Sequence, residues 1–182
     1  MKKNGYTLIE LMVSIAIISM MTGIFLANYS SANRRTDLTM TAQKMVTDIR
    51  LAQNYALGLA RYGTTGSTNV PLGGWGVHFS KSRNDQYVVF ADDNGDTLYS
   101  IGEDDLAKGA QITTLPTNVI IDSISTGNSA DVTFTPPDPI TSINNGVTVG
   151  TSTSVSIVLK DLRTNSIKTV KINFLGLTEV ID

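Results

Sequence analysis

The chain has 182 residues, a formal net charge of −2 and no cysteine, so its length accommodates one small domain plus an anchoring helix. The lack of cysteine excludes a disulfide framework, thiol catalysis and cysteine metal sites. From Arg61 onward 8 basic side chains stand against 13 acidic ones, a poor electrostatic start for binding nucleic acid, where affinity rests largely on neutralising phosphates.

Lys2 and Lys3 precede Gly5-Tyr6-Thr7-Leu8-Ile9-Glu10, and an apolar run continues to Leu26 with Glu10 as its only charge. As a helix, Leu8 to Leu26 spans roughly 28 Å, close to the hydrocarbon core of a bilayer at about 30 Å. The stretch therefore reads as a membrane segment or an export signal. The positive-inside rule keeps Lys2 and Lys3 in the cytoplasm and places the carboxyl-terminal bulk across the membrane. Glu10 is costly in an apolar helix and calls for a positive partner. A cut after Gly5 would supply one, the new α-amino group of Tyr6. It would also remove the two lysines, taking the charge from −2 to −4 before that amine is counted. Tyr6 and Glu10 have the i, i+4 spacing that shares one helix face. Within one chain the pair would only cap its own helix; between neighbouring helices shifted along their axes it becomes an assembly contact. An ordinary signal peptide cut after Ser30-Ser31-Ala32, or a plain anchor, leaves Glu10 without a purpose.

Beyond Leu26 the chain turns polar but keeps a helical period. Leu38, Ala42, Met45, Ile49, Ala52, Ala56 and Leu59 follow one another at alternating steps of four and three, one apolar stripe, and no proline interrupts from Thr7 to Val70. The spacing predicts a near-continuous helix from about Tyr6 to Arg61, with Arg34, Lys44, Asp48 and Arg50 on its other faces. The stripe is expected to pack on a sheet in preference to a coiled-coil seam, because a strand-rich half follows and needs a cover.

Tyr62 to Gly74, rich in Gly, Ser, Thr and Asn, reads as a linker. Strands are predicted at Trp75–Ser80, Gln86–Ala91, Thr97–Ser100, Asn118–Ile124, Asp131–Thr135, Ser154–Lys160 and Ile167–Phe174. Arg163-Thr164-Asn165-Ser166 is the expected turn between the last two. Pro136-Pro137-Asp138-Pro139 and the polar tract to Thr153 are expected to form a long exposed loop.

Few side chains offer chemistry. Asp92, Asn94 and Asp96 alternate, and Glu103 stands seven residues further on, the 1, 3, 5, 12 spacing of an EF-hand-type calcium loop. Thr97 occupies the position where such a loop wants glycine, and no flanking helix pair is visible. The simpler reading makes Asn94-Gly95 a hairpin turn with solvated acids, and no other cofactor is expected. Glu103-Asp104-Asp105 reads as a charged loop. His78 is the only histidine and cannot build a typical zinc site alone. Strand alternation turns it away from Val77 and Phe79, toward solvent. Trp75, between Gly74 and Gly76, is expected in the core, with a partner-contact role as the alternative. No nucleophile–base pair and no phosphate-cradling glycine loop is present, so an enzyme is not expected.

The sequence Lys2-Lys3-Asn4-Gly5-Tyr6-Thr7-Leu8-Ile9-Glu10-Leu11, continuing into an apolar helix, resembles the class III signal of type IV prepilins and type II secretion pseudopilins. It departs at Tyr6, where phenylalanine is commonest. The resemblance implies cleavage after Gly5 by a prepilin peptidase, N-methylation of Tyr6, and pairing of Glu10 with the amino terminus of an adjacent subunit. It also implies an α+β, pilin-like fold: a long amino-terminal helix whose carboxyl-terminal half packs on an antiparallel sheet. The expected division is a leader at 1–5, a transmembrane and assembly helix at 6–30, its amphipathic continuation at 31–61 and a β-rich globular domain at 62–182. Gly74-Trp75-Gly76-Val77-His78-Phe79, Phe90-Ala91-Asp92-Asp93-Asn94-Gly95-Asp96, Val132-Thr133-Phe134-Thr135-Pro136 and the helix end Ala52–Arg61 are similar to the GspH/FimT minor pseudopilin group.

Expected partners are thus the prepilin peptidase, other pilins in a helical filament, an inner-membrane assembly platform and the membrane before assembly. The expected location is a single-pass inner-membrane protein, amino terminus in the cytoplasm and globular domain outside it. Two alternatives are a major pilin and a FimT-like pilin that binds DNA during uptake. The second is disfavoured because that group uses a basic carboxyl-terminal region, whereas no basic residue follows Lys171. Lys160, Arg163, Lys168 and Lys171 are the remaining basic cluster.

Overall fold

The computed structural model describes residues 5–62, 69–100, 110–138, 140–150 and 152–182, and the side chains of these except residues 27–35. Residues 63–68 of the expected linker, all of Glu103-Asp104-Asp105, and Lys2 and Lys3 lie outside the described residues. The fold is α+β. Helix α1 spans Leu8–Leu57, and nine strands follow: β1 Gly74–Ser80, β2 Gln86–Asp92, β3 Gln111–Thr114, β4 Val119–Ile124, β5 Ser129–Thr135, β6 Ile140–Asn144, β7 Ser154–Asp161, β8 Ile167–Asn173 and β9 Thr178–Ile181. The chain divides into two compact units, one through Thr36 and one over Asp37–Asp182.

The second unit holds the core. Its strands form two antiparallel sheets and not the single sheet expected, one in the order β3-β2-β1-β5-β6 and the other β4-β7-β8-β9. The α1 stripe Leu38, Ala42, Met45, Ile49, Ala52 and Ala56 is buried in one cluster with Val77, Phe79, Val89 and Val132 of the first sheet and Ile121, Ile157, Leu159 and Ile172 of the second. The periodic stripe is thus the sheet cover that the sequence predicts. Leu59 does not join it: α1 ends at Leu57, and Leu59 turns outward with a φ of 48°. Burying β-branched and aromatic side chains on alternate strand positions is the main stabilising term here.

Two expectations are corrected. Thr97–Ser100 is not a strand; it is a strap of bends running over the outer face of the first sheet. The tract after Pro136 is not all loop, because Ile140–Asn144 pairs antiparallel with β5, with Thr135 opposite Ile140 and Asp131 opposite Asn144. The β7–β8 turn is as predicted. Asp161 Oδ1 accepts the backbone N–H groups of Arg163 (2.7 Å) and Thr164 (3.1 Å), and Asn165 takes a left-handed φ of 54°.

Asp48, which the sequence places on a helix face other than the stripe, is only 4% exposed. It lies one step from the stripe residue Ile49, where β2 and β3 close over it. Tyr87 donates its hydroxyl to Asp48 Oδ2 (2.7 Å), Thr113 donates to the same oxygen (3.2 Å), and Lys44 pairs with Oδ1. A carboxylate can be buried when every lone pair facing the protein is met this way. Burial, reinforced by the Asp48 acceptor, pushes the Tyr87 phenol above its ordinary range. A raised folded-state value means this contribution is whole below about pH 10 and is lost as pH rises further. Tyr87→Phe is therefore expected to cost about 1–3 kcal/mol at neutral pH and to flatten the alkaline loss of stability. Thermal unfolding of the full chain in detergent micelles, at neutral pH and above pH 10, checks both; unchanged stability at neutral pH would refute the bond's contribution.

Candidate functional site

The first unit carries the amino-terminal motif. Thr7 is the residue before the first turn of α1, and Glu10 sits in that turn. The Thr7 backbone N–H donates to Glu10 Oε2 (2.8 Å), and the Thr7 hydroxyl donates to the same oxygen (2.7 Å). The Glu10 backbone N–H points back at Thr7 Oγ1 (3.4 Å). This is the reciprocal capping box of a Thr-x-x-Glu sequence. Within the chain, then, Glu10 is met by Thr7 and not by Tyr6. The three-residue spacing of Thr7 and Glu10 carries that signal, and the sequence reading missed it by looking only for charge.

Leu8–Leu26 is long and apolar enough to cross a membrane, with a mean hydropathy of 2.1. Leu8, Ile9, Leu11, Met12, Ile15 and Ile18 are all exposed, so the apolar surface runs around the whole helix. An all-round apolar helix is matched to lipid or to other helices, not to water. Two of the polar side chains within it bond to the helix backbone. Ser14 donates to the Glu10 carbonyl (2.7 Å) and Thr22 to the Ile18 carbonyl (2.8 Å), which keeps their hydroxyls satisfied in an apolar medium. Gly5 and Tyr6 precede the helix, and Tyr6 is exposed. A Cβ built on Gly5 would meet nothing within 4 Å. The fold itself therefore makes no steric demand for glycine there.

The acidic loop after β2 is organised by Asp92, which is fully buried. Its Oδ1 accepts from Gly95 N–H and its Oδ2 from Thr97 N–H, both at 2.8 Å. Burial pushes its carboxyl above the usual range, against the pull of those two bonds. Asn94 Oδ1 accepts from Asp96 N–H and Asp96 Oδ1 from Leu98 N–H. Thr97 takes a φ of 64°, the conformation glycine supplies in a calcium loop, and Asn144 Nδ2 holds it through both Thr97 O and Oγ1 (2.8 Å each). Asn94 and Gly95 make a turn, yet no hairpin, because the chain continues into the strap. Glu103, the twelfth-position candidate, lies outside the described residues. Among the described residues no three His, Asp or Glu side chains gather as a metal site.

His78 does face away from Val77 and Phe79, but it is not simply solvent-facing. Its Nδ1 hydrogen-bonds to Asp131 Oδ1 (2.5 Å), and Tyr99 of the strap stacks on its ring at 4.5 Å. Asp131 is fully buried, and its Oδ2 accepts from Tyr99 N–H (3.2 Å). Sequence reasoning could not bring His78 and Asp131 together, since only the β1–β5 register sets them opposite each other. Trp75 is core: its indole N–H donates to the Ala60 carbonyl (3.0 Å), and its ring lies 4.8 Å from that of Tyr55.

The basic cluster on the last hairpin is divided. Lys168 lies on the strand face that also carries Val170 and Ile172 and pairs with Asp182, whereas Lys171 alternates to the opposite face.

Residues 1–26 match the family model for the prokaryotic N-terminal methylation motif. Searches of curated proteins and of solved structures each returned no match. The motif implies prepilin-peptidase processing and pilin assembly, and it points to a structural role in place of an enzymatic one. Together, the methylation motif and the exposed apolar helix that it opens support the type IV pilin or pseudopilin class and are compatible with a membrane-anchored pilin.

Proposed function

We propose that this chain is a minor pilin or pseudopilin, a structural subunit of a type IV pilus or type II secretion pseudopilus. A prepilin peptidase cuts it between Gly5 and Tyr6 and methylates the Tyr6 amine. The apolar helix holds the subunit in the inner membrane, amino terminus toward the cytoplasm and globular domain outside it, until an inner-membrane assembly platform adds it to a filament. There the Glu10 carboxylate meets the Tyr6 amine of a neighbouring subunit. The observation that carries this reading is the placement of one carboxylate a single turn from Tyr6, in a helix that is otherwise apolar all round. The minor role rests on the similarity of the globular half to the GspH/FimT group.

The decisive measurement is the mass of the amino-terminal peptide from native membranes. A peptide beginning at N-methylated Tyr6 is expected. A chain beginning at Asn33, or an intact Met1, would overturn the reading.

A further inference from the structure

A second site stands on the outer face of the first sheet, independent of the filament reading. The turn between β1 and β2 and the adjoining strand ends enclose a cavity of about 190 Å³ lined by His78, Ser80, Ser82, Arg83, Gln86 and Tyr99, with Tyr87 and Val88 completing its wall. We propose that this cavity binds a carboxylate group.

The lining is rich in donors and contains no carboxylate. Arg83 is exposed at its rim, and its guanidinium has no hydrogen-bond or ion-pair partner among the described residues. Its planar fork matches a carboxylate in bidentate fashion. The Ser80 and Ser82 hydroxyls share one hydrogen bond (2.8 Å), so one hydroxyl hydrogen is left over for a ligand. Gln86 adds an amide. His78 is fixed from below by its Nδ1–H bond to buried Asp131, and its ring forms part of the cavity wall.

The wall is pre-organised. Asp131 and Asn144 stand side by side on β5 and β6, and each holds the strap by a hydrogen bond, Asp131 to Tyr99 N–H and Asn144 to the Thr97 carbonyl. Tyr99 is thereby kept stacked over His78. The aromatic and aliphatic walls lower the local dielectric, which strengthens a charge pair formed inside. The volume sets the ligand's size. It is below the 300–1,000 Å³ of pockets that take drug-sized molecules, so it fits a carboxylate with a few carbons. A free small acid and an acidic side chain offered by another protein share this chemistry.

The test uses the ¹⁵N-labelled full chain in detergent micelles, titrated separately with sodium acetate and with an acetylated, amidated Gly-Glu-Gly peptide, against sodium chloride at matched ionic strength. Saturable amide shifts confined to Ser80, Ser82, Arg83 and Gln86 are expected with both carboxylates. Tighter binding of the peptide identifies an acidic side chain as the source, and tighter binding of acetate a free acid. Arg83→Gln should weaken either by about 10-fold or more, as expected for loss of a charge-assisted pair, and Ser82→Ala should weaken it less. Arg83 is exposed, so its substitution leaves the core intact. Shifts that chloride reproduces, that never saturate, or that survive Arg83→Gln unchanged would overturn the proposal.

Discussion

Gly5→Val is expected to leave the chain at precursor length. A side chain at position 5 meets no neighbour within 4 Å, so the variant should fold as the parent does. The constraint comes from outside, from a peptidase that must bring its catalytic groups against the backbone at the scissile bond, where glycine alone offers no Cβ. A misfit of about 3 kcal/mol in a closely fitted site slows cleavage by about 100-fold. Intact mass and gel mobility in cells with active prepilin peptidase read the result. A Gly5→Val product shortened as the parent is would refute the cleavage assignment.

How much of the molecule was legible beforehand depended on where its constraints come from. The α1 stripe was readable because helical periodicity is local: Leu38 through Ala56 repeat at steps of four and three whatever lies opposite. The six strands correctly expected carry their own β-branched and aromatic runs, as in Tyr87-Val88-Val89-Phe90 of β2. The three missed strands, β3, β6 and β9, are all edge strands of four or five residues. An edge strand is paired on one side only and is mostly solvated, so its composition stays polar and its register is borrowed from its partner. Gln-Ile-Thr-Thr of β3 shows no pattern of its own, yet it pairs with Gln86–Val89. The Thr97–Ser100 error has a different cause. Leu98 and Tyr99 look strand-like, but two side chains from distant strands, Asp131 and Asn144, take up the segment's backbone groups and make it a strap. The candidate sites divide the same way. Gly5 to Glu10 is contiguous and readable, whereas the Asp48–Tyr87 and His78–Asp131 pairs exist only after the sheets have formed.

Glu10→Val should be cleaved normally yet fall at least about 10-fold in sheared filaments, a loss equivalent to about 1.4 kcal/mol per subunit added. The structure makes a sharper version of this experiment available, because Glu10 already has work within its own chain. Its carboxylate caps α1 through Thr7 N–H and the Thr7 hydroxyl, and a cap of this kind stabilises a helix start by about 1 kcal/mol. Glu10→Val removes both the cap and the charge, so by itself it does not say which one assembly needs. Glutamine separates them. Glu10→Gln keeps an acceptor for Thr7, since Gln serves at the third position of a capping box as Glu does, but it has no charge to offer a neighbour's amine. Thr7→Val does the reverse, losing the hydroxyl half of the cap and leaving the carboxylate. If Glu10 acts on a neighbouring subunit, Glu10→Gln should fail in filaments about as badly as Glu10→Val, and Thr7→Val should incorporate at close to the parent level. The opposite ranking, with Gln incorporated normally and Thr7→Val excluded, would show that the carboxylate matters only for starting its own helix.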